Sequence, residues 1–268
     1  MKMKKLFVFF LGGCIVFFLG LSSCKKDEKL NFFTLEEDIQ FGQQVDSQIQ
    51  ASPDEYPILD PVKYKAVYDY MNEIKNKLLA TGKIKYKDQF VWKITLIDTT
   101  ILNAFATPGG YLYFYTGLIK FCDTEAELAG VIGHEMAHAD KRHSTVNMTK
   151  TYSYAVLFQI LLGQNNETLA QIATNLVSLK FSRDQEYEAD KNAVDYTAAA
   201  GYKGNELKNF LLKLDSLQEK GFNPEFLSTH PSDAKRAGAI EEEWNAVKTG
   251  EGKLSIVGDL TAIKQLLP

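Results

Sequence analysis

The stretch His134-Glu135-Met136-Ala137-His138 carries the H-E-x-x-H pattern, and it determines how the rest of the sequence is interpreted. Residues four apart lie on the same side of an α-helix, so both imidazoles can reach one metal ion. The carboxylate of Glu135 lies one position further along, where it can take a proton from water beside that metal. We therefore predict His134 and His138 as ligands of one zinc ion per chain, and Glu135 as the catalytic base.

The helix that carries this pattern has a recognisable start. Thr124 and Glu127 match a capping box ahead of an apolar run, and the helix is expected to continue to about His143. In a continuous helix His143 is about 180° around the axis from His134. It is therefore expected to point away from the metal and to cap the carboxyl end of the helix.

A zinc peptidase needs a third protein ligand, and the acidic segment 183–190 can supply it. Glu186 and Asp190 are four residues apart and share one helix face. Glu188 is about 200° around the axis from Glu186, so its replacement is expected to be nearly silent. We predict Glu186 as the ligand and Asp190 as the acceptor of the free ring N–H of a ligating histidine. Without the upstream pattern, this segment would be interpreted as a charged surface helix.

The chain begins with a targeting segment. Lysines precede an almost purely apolar run, Leu6–Leu21, which is followed by two serines and Cys24. Such a short run predicts a signal peptide more than a membrane-spanning helix, which needs about 20 apolar residues. The end of the run resembles a bacterial lipobox, which implies cleavage before Cys24 and a lipid on that residue. The alternatives are an ordinary signal peptide with a chance cysteine and an uncleaved anchor.

This interpretation divides the chain into a signal peptide (1–23), a charged tether (24–34) and a single domain (35–268). Removing residues 1–23 takes away three lysines and no acid, which leaves 27 basic and 34 acidic residues and a net charge of −7. That balance argues against nucleic acid as a partner and against binding at an anionic membrane surface, because both would need a basic patch. Of the cysteines beyond the signal peptide, only Cys122 would stay unmodified, so no intrachain disulfide is expected.

A lipid on Cys24 predicts a location in the cell envelope, with the protein anchored to the outer membrane and facing the periplasm. The tether begins with Lys25 and Lys26, followed by two acids. It is interpreted as a solvated linker. It also resembles lysine-then-acid signals for surface display, so the cell surface is the alternative location.

The remaining patterns predict an α+β fold, mainly helical with one small β-sheet beside the zinc helix. The run at Tyr154–Leu162 is apolar but short, and is interpreted as a buried helix or as a flap that faces membrane or substrate. A glycine-rich turn, Pro108-Gly109-Gly110, separates two strands. The other predicted helices are Leu35–Ile49, Tyr64–Leu78, Leu169–Lys191, Asn205–Lys220 and Ser232–Val247, and the predicted strands lie within Val91–Ile97 and Ala104–Tyr115.

Four segments in consistent order resemble one family of zinc metallopeptidases, peptidase family M48, which includes the HtpX-like and CAAX prenyl proteases and envelope lipoprotein proteases. They are the H-E-x-x-H pattern, Glu186 with Asp190, the segment 103–110, and Thr229-His230-Pro231 followed by Arg236. The resemblance implies a gluzincin-type domain. It also implies that Asn103, Ala104, Phe105 and Ala106 form an edge strand to which a substrate peptide adds.

The resemblance further implies a role for His230 in the cleft, with Arg236 supporting the same wall. His230 is expected to donate a hydrogen bond to the oxyanion formed during attack, or else to ligate zinc in a resting state. Arg236 is expected behind the ligands.

These observations predict a zinc metalloendopeptidase that hydrolyses extended polypeptides, specifically misfolded or unassembled envelope proteins. Two other functions stay open. One is an envelope chaperone or assembly factor that holds clients through its edge strand. The other is a latent peptidase whose cleft must be opened.

Overall fold

The computed structural model describes residues 30–162, 171, 174–232, 234–248 and 256–268. Residues 31–268 form one compact unit. The expected signal peptide (1–23) and Cys24 lie outside the described residues. Within them, no helix has the length and apolar character needed to cross a membrane.

The architecture is α+β, as the sequence patterns predicted, with many helices and one small sheet. The strands are β1 (Lys93–Ile97), β2 (Ala104–Thr107) and β3 (Tyr111–Tyr115). The helices are α1 (Leu35–Gln50), α2 (Lys65–Ala80), α3 (Thr116–Phe121), α4 (Glu125–Asp140), α5 (His143–Thr151), α6 (Tyr154–Leu161), α7 (Arg183–Ala199), α8 (Glu206–Glu219), α9 (Glu225–Thr229), α10 (Ala234–Val247) and α11 (Thr261–Gln265).

The sheet has the strand order β1-β3-β2, which places β2 at one edge. β1 runs parallel to β3, and β2 runs antiparallel to it, with Ala104 opposite Phe114 and Thr107 opposite Tyr111. The link between β2 and β3 is the predicted glycine-rich turn, in which Gly109 has a φ of 77°. That left-handed conformation is accessible to glycine at little cost, which allows so short a connection.

The helix α4 is the centre of the domain, and every residue from Ala126 to Asp140 is buried. Thr124 caps it as expected, its hydroxyl accepting a hydrogen bond from the Glu127 amide at 3.1 Å. The second half of the predicted capping box differs, because the Glu127 carboxylate accepts from the amide of Asp123, at 2.7 Å, and not from that of Thr124. α7 packs directly on α4 at Gly133. The Cα of Ala193 lies 3.4 Å from the position that a Cβ on Gly133 would take, which is an ordinary van der Waals distance.

The end of α4 differs from the sequence prediction. The helix stops at Asp140 instead of continuing to about His143, and a new helix, α5, begins at His143. Arg142 between them takes a left-handed conformation with φ 57° and ψ 35°. This conformation is costly for a residue with a side chain. Its side chain binds the carboxylate of Asp38 and the carbonyl oxygens of Phe33 and Thr34, and these contacts hold the turn.

The segment before α7 also differs from its prediction. Helical periodicity was expected from Leu169 to Lys191, but 179–182 are not helical and α7 begins at Arg183. Part of the predicted span lies outside the described residues. A capping box formed by Ser182 and Gln185 sets this start. Gln185 also donates to the side chain of Asn147 at 2.9 Å, which ties α7 to α5.

Candidate metal centre

Three side chains on α4 and α7 meet at one point. The Nε2 atoms of His134 and His138 are 3.0 Å apart. The carboxylate of Glu186 lies 3.6 Å from Nε2 of His134 and 3.5 Å from Nε2 of His138. Ligands about 2.0–2.1 Å from a tetrahedral zinc lie roughly 3.3 Å from one another. These separations are therefore those of a tetrahedral metal site.

His230 supplies a fourth candidate ligand, and one ligand atom from each of the four residues lies within 4.8 Å of the others. All four side chains are 0–1% exposed. Oε1 of Glu186 and Nε2 of His230 have no hydrogen-bond partner in the described part of the chain. Polar atoms left unpaired in a buried position are costly. A divalent cation bound to this donor set would satisfy them, and the set of two or three imidazoles and one carboxylate suits zinc.

Behind these ligands, Arg236 of α10 forms a buried clamp. Its Nε and Nη2 atoms each donate to the Asp190 carboxylate at 2.7 Å, and Nη1 lies 2.8 Å from the carboxylate of Glu186. Although burial raises the pKa of Asp190, the guanidinium lowers it to about 2. Asp190 is therefore ionised at neutral pH, and its Oδ1 lies 2.9 Å from Nδ1 of His134.

The acidity of His134 and Glu135 is set by the same buried environment. Burial lowers the pKa of His134, but hydrogen bonds with Asp190 and Glu186 outweigh it and raise that pKa to about 9. Burial raises the pKa of Glu135 to about 8. Both carboxylate oxygens of Glu135 are buried and have no hydrogen-bond partner among the described residues. Glu135 is thus a carboxyl group placed to accept a proton, with no structural partner to compete for it.

His230 caps the carboxyl end of α9, a short helix that the sequence analysis did not predict. Its Nε2 lies 3.4 Å from Oε1 of Glu135, and its Nδ1 lies 2.9 Å from the hydroxyl of Thr229. The ring stacks on Phe226 with centroids 4.3 Å apart. The structure therefore brings His230 to the metal cluster, and this geometry is compatible with either of its expected roles.

His143 lies against the metal cluster, and the expectation that it points away was wrong. Because α4 ends at Asp140, the chain turns and places Nδ1 of His143 3.0 Å from Nδ1 of His138. On its other side, Nε2 of His143 lies 3.2 Å from Oε2 of Glu188. When Nε2 of His138 faces the metal, its Nδ1–H can donate to His143, which can then donate to Glu188. Each of the two imidazoles on α4 thus has an outer partner that fixes its tautomer.

The expected substrate strand lies at the edge of the sheet, and its residues are buried. Asn103 is 2% exposed, and Ala104, Phe105 and Ala106 are no more than 5% exposed. The side-chain oxygen of Asn103 accepts a hydrogen bond from the amide of Ala104 at 2.9 Å. A cleft of about 380 Å³ opens beside Asn103 and Tyr115. β2 therefore lies at an edge of the sheet, but its residues and those of the metal cluster are buried from solvent.

Comparison with known proteins identifies the domain. Residues 68–244, about two thirds of the chain, match peptidase family M48. The chain belongs to peptidase family M48. This is a family of metallopeptidases, and the match includes both α4 with its histidines and α7 with Glu186.

Relatives of this M48 domain come from bacteria and mitochondria. A mitochondrial metalloendopeptidase OMA1 of Arabidopsis thaliana is 35% identical over 150 residues, 54% of this chain and 30% of that protein. OMA1 of Schizosaccharomyces pombe is 29% identical over 178 residues, 65% and 52% of the two chains. A beta-barrel assembly-enhancing protease of Yersinia pestis is 27% identical over 205 residues, 71% and 41%. The chain thus spans about a third to a half of the length of these relatives.

Several neighbours of the M48 site were not anticipated. The ring of Phe181 lies 3.9 Å from that of His138, centroid to centroid, and covers it. Phe226 supports His230 in a similar way. Aromatic residues at these positions carry no distinguishing sequence pattern. The contacts of His143 and Glu188 could not be found either, because they depend on a helix break that helical periodicity does not show.

We predict that the outer contacts of His138 tune metal affinity. His143→Ala should weaken zinc binding about 10–100-fold, because the orientation of His138 is then unsupported. Glu188→Ala, which helix spacing alone predicted to be nearly silent, should also weaken zinc binding, but less, because Glu188 contacts His143. Competition with a chromogenic chelator measures both affinities. The exposed Asp184, in the first turn of the same helix, provides the control Asp184→Ala, which should bind zinc like the wild type.

His143→Gln should retain most of the affinity, because its amide can accept from one neighbour and donate to the other. Equal affinities for the wild type and His143→Ala would contradict the proposed support. That result would leave His143 with a packing role only.

Proposed function

We propose that this protein is a zinc-dependent endopeptidase. The single observation that carries the proposal is the buried cluster of His134, His138, Glu186 and His230, in which Nε2 of His230 lies 3.4 Å from Oε1 of Glu135. The M48 membership and the metalloendopeptidase relatives support the same conclusion. Pure binding has no use for a buried, unpartnered carboxylate at this position. We assign the metal to His134, His138 and Glu186, with Asp190 and Arg236 holding the ligands.

In this mechanism the residues of the chain transfer protons and orient the metal ligands. Zinc, when bound, would supply Lewis-acid chemistry that polarises a carbonyl and acidifies water. Glu135 takes the proton of the attacking water and passes it to the leaving amine. Burial raises the pKa of Glu135, and a cation bound beside it would lower that pKa, so the carboxylate would be ionised and able to accept a proton. His230 donates a hydrogen bond to the developing oxyanion.

We further propose that substrates bind as extended chains along β2, at Asn103, Ala104, Phe105 and Ala106. Main-chain hydrogen bonding to an edge strand selects unfolded polypeptide more than a particular sequence. The burial of these residues and of the metal cluster supports a resting state that is closed to substrate. Phe181 covers His138 in this state, so entry of a substrate requires this ring or its neighbours to move.

The proposed substrates are misfolded or unassembled proteins of the bacterial cell envelope. The signal peptide and Cys24 support that location, and the relative in Yersinia pestis is named as a beta-barrel assembly-enhancing protease. The second candidate function is an envelope chaperone or assembly factor that holds clients at β2. Its support is weaker, because such a protein has no need of Glu135. Degradation of casein with and without a chelator distinguishes the two.

The role of Glu135 leads to a specific prediction. Glu135→Gln should retain about one zinc per chain and lose peptidase activity, because the carboxylate transfers protons and does not ligate. Elemental analysis and a casein assay measure the two properties. His134→Ala, His138→Ala and Glu186→Ala are the comparison, and each should lose the metal. Near-normal activity of Glu135→Gln would refute the mechanism.

His230→Ala separates the two roles of that residue. As an oxyanion donor, His230 should contribute roughly 10²–10³ to kcat, and its loss should leave zinc in place. As a resting-state ligand with no catalytic part, its removal should raise activity. We expect the loss, measured as kcat on a peptide together with zinc content. An unchanged kcat would show that neither role holds.

The lipid on Cys24 is tested by metabolic labelling with a palmitate analogue. The wild type should be labelled, whereas Cys24→Ser should be neither labelled nor processed at its signal peptide, because the anchor is attached to that thiol. Equal labelling of the two proteins would contradict the proposed anchor.

A further inference from the structure

The helix α6 exposes an apolar stripe. Tyr154, Phe158 and Leu162 follow at intervals of four residues and are 61%, 55% and 63% exposed. Residues at this spacing share one side of a helix. On the other side, Leu157 and Ile160 are buried. The helix is therefore apolar towards the core and apolar towards solvent, and a contiguous exposed apolar patch of this kind marks an interaction surface.

The beginning of the folded chain extends the patch. The ring of Phe32 lies 5.3 Å, centroid to centroid, from both Tyr154 and Phe158. Phe32 is fixed there, because its amide donates to the hydroxyl of Thr149 at 2.9 Å. The side-chain amide of Asn31 likewise donates to the hydroxyl of Thr145 at 2.9 Å. The chain therefore enters its folded unit directly beside the α6 stripe.

The length of the preceding chain limits how far this patch can be from a membrane. Asn31 is seven residues beyond Cys24, and an extended chain spans at most about 3.3–3.6 Å per residue. A lipid anchor on Cys24 would therefore keep Asn31 within about 25 Å of the bilayer surface. This step rests on the lipid anchor of the proposed function. Because Phe32 follows Asn31 and contacts α6, the exposed stripe of α6 must also lie close to the bilayer surface.

The sequence of α5 and α6 differs in charge from the rest of the chain. The chain carries 34 acidic residues, yet residues 141–162, which include α5 and α6, contain none. The cations in this stretch are Lys141, Arg142 and Lys150, of which Lys141 pairs with Asp140 and Arg142 with Asp38. Because the net charge of the chain is negative, the docking depends on the exposed apolar side chains and not on electrostatic attraction to anionic headgroups.

We infer that α6 docks in the interfacial region of the bilayer, with Tyr154, Phe158 and Leu162 among the headgroups and upper acyl chains and Phe32 beside them. Tyr154 suits this region because its ring is apolar and its hydroxyl is polar, whereas phenylalanine and leucine side chains form the apolar face of interfacial helices. The lipid anchor then keeps the domain near the bilayer, and the contact of α6 with the bilayer sets the orientation of the domain. The bilayer, and not a second copy of the chain, is the proposed occupant of the stripe.

Tryptophan quenching tests this in the full lipidated protein. The Phe158→Trp variant is reconstituted into vesicles of phosphatidylethanolamine and phosphatidylglycerol, and its emission is compared between lipids that carry bromine on their acyl chains and lipids that do not. The matched control is Phe222→Trp, because Phe222 is also 55% exposed but lies outside α6. Trp92 is buried and Trp244 is partly buried, so they contribute a constant background. Bromine should reduce the emission of the tryptophan at 158 roughly twofold and leave the one at 222 unchanged.

Adding Tyr154→Ser and Leu162→Ser to Phe158→Trp should remove most of the quenching, while the protein still floats with the vesicles. If the protein floats with the vesicles but bromine quenches the tryptophans at 158 and 222 equally, or does not quench the one at 158, the docking of α6 is refuted. The lipid anchor would still stand in that case. Wild-type protein that fails to float would show that the anchor is wrong, and the docking would fall with it. Emission at 158 that is blue-shifted but insensitive to bromine would assign the stripe to a second copy and refute the bilayer.

Discussion

The ion pairs of Arg236 are the constraint on which the rest of this structure depends. Glu186 and Asp190 lie on one face of α7 and are both buried, and two uncompensated carboxylates in such a place would cost several kcal/mol each. The guanidinium of Arg236 contacts both of them. Because Arg236 belongs to α10, the acids of α7 can face α4 only when α10 has packed. The metal centre is therefore a product of three helices, not of one sequence motif.

That constraint also determines what each carboxylate can do. Asp190 uses both oxygens on the guanidinium, and one of them also lies 2.9 Å from His134, so it is fully engaged in orientation. Oε1 of Glu186, which lies 3.5 Å from His138, accepts no hydrogen bond within the described part of the chain, which suits the ligand role proposed for it. Glu135, one residue from His134, has neither oxygen engaged among the described residues. Three buried acids thus differ in role because they differ in partners.

Helical periodicity was sufficient to predict much of this site. The spacing of four residues brought His134 to His138 and Glu186 to Asp190, and the capping residue Thr124 and the glycine-rich turn located α4 and the sheet. Such predictions succeed because they depend on local geometry that neighbouring residues dictate. The M48 resemblance added His230 and Arg236, which no local rule would have connected to α4.

Periodicity failed where tertiary contacts override the local preference. The break after Asp140 requires a left-handed arginine, and its cost is offset by contacts with residues more than a hundred positions away. Nothing in the sequence around Arg142 announces this. The break reverses the position of His143, which then contacts His138 and Glu188. The left-handed conformation of Arg142 therefore decides whether His143 caps α4 or contacts His138 beside the candidate metal site.

Phe33 and Thr34, whose carbonyl oxygens accept hydrogen bonds from Arg142, are more important to the site than their position before α1 suggests. They precede α1 and are easily counted with the tether, yet they brace the turn that sets His143 against His138. A shortened form of the protein that starts at Leu35, chosen to discard a linker, would remove this brace. The residues just before α1 thus belong, through Arg142 and His143, to the surroundings of the buried cluster of His134, His138 and Glu186.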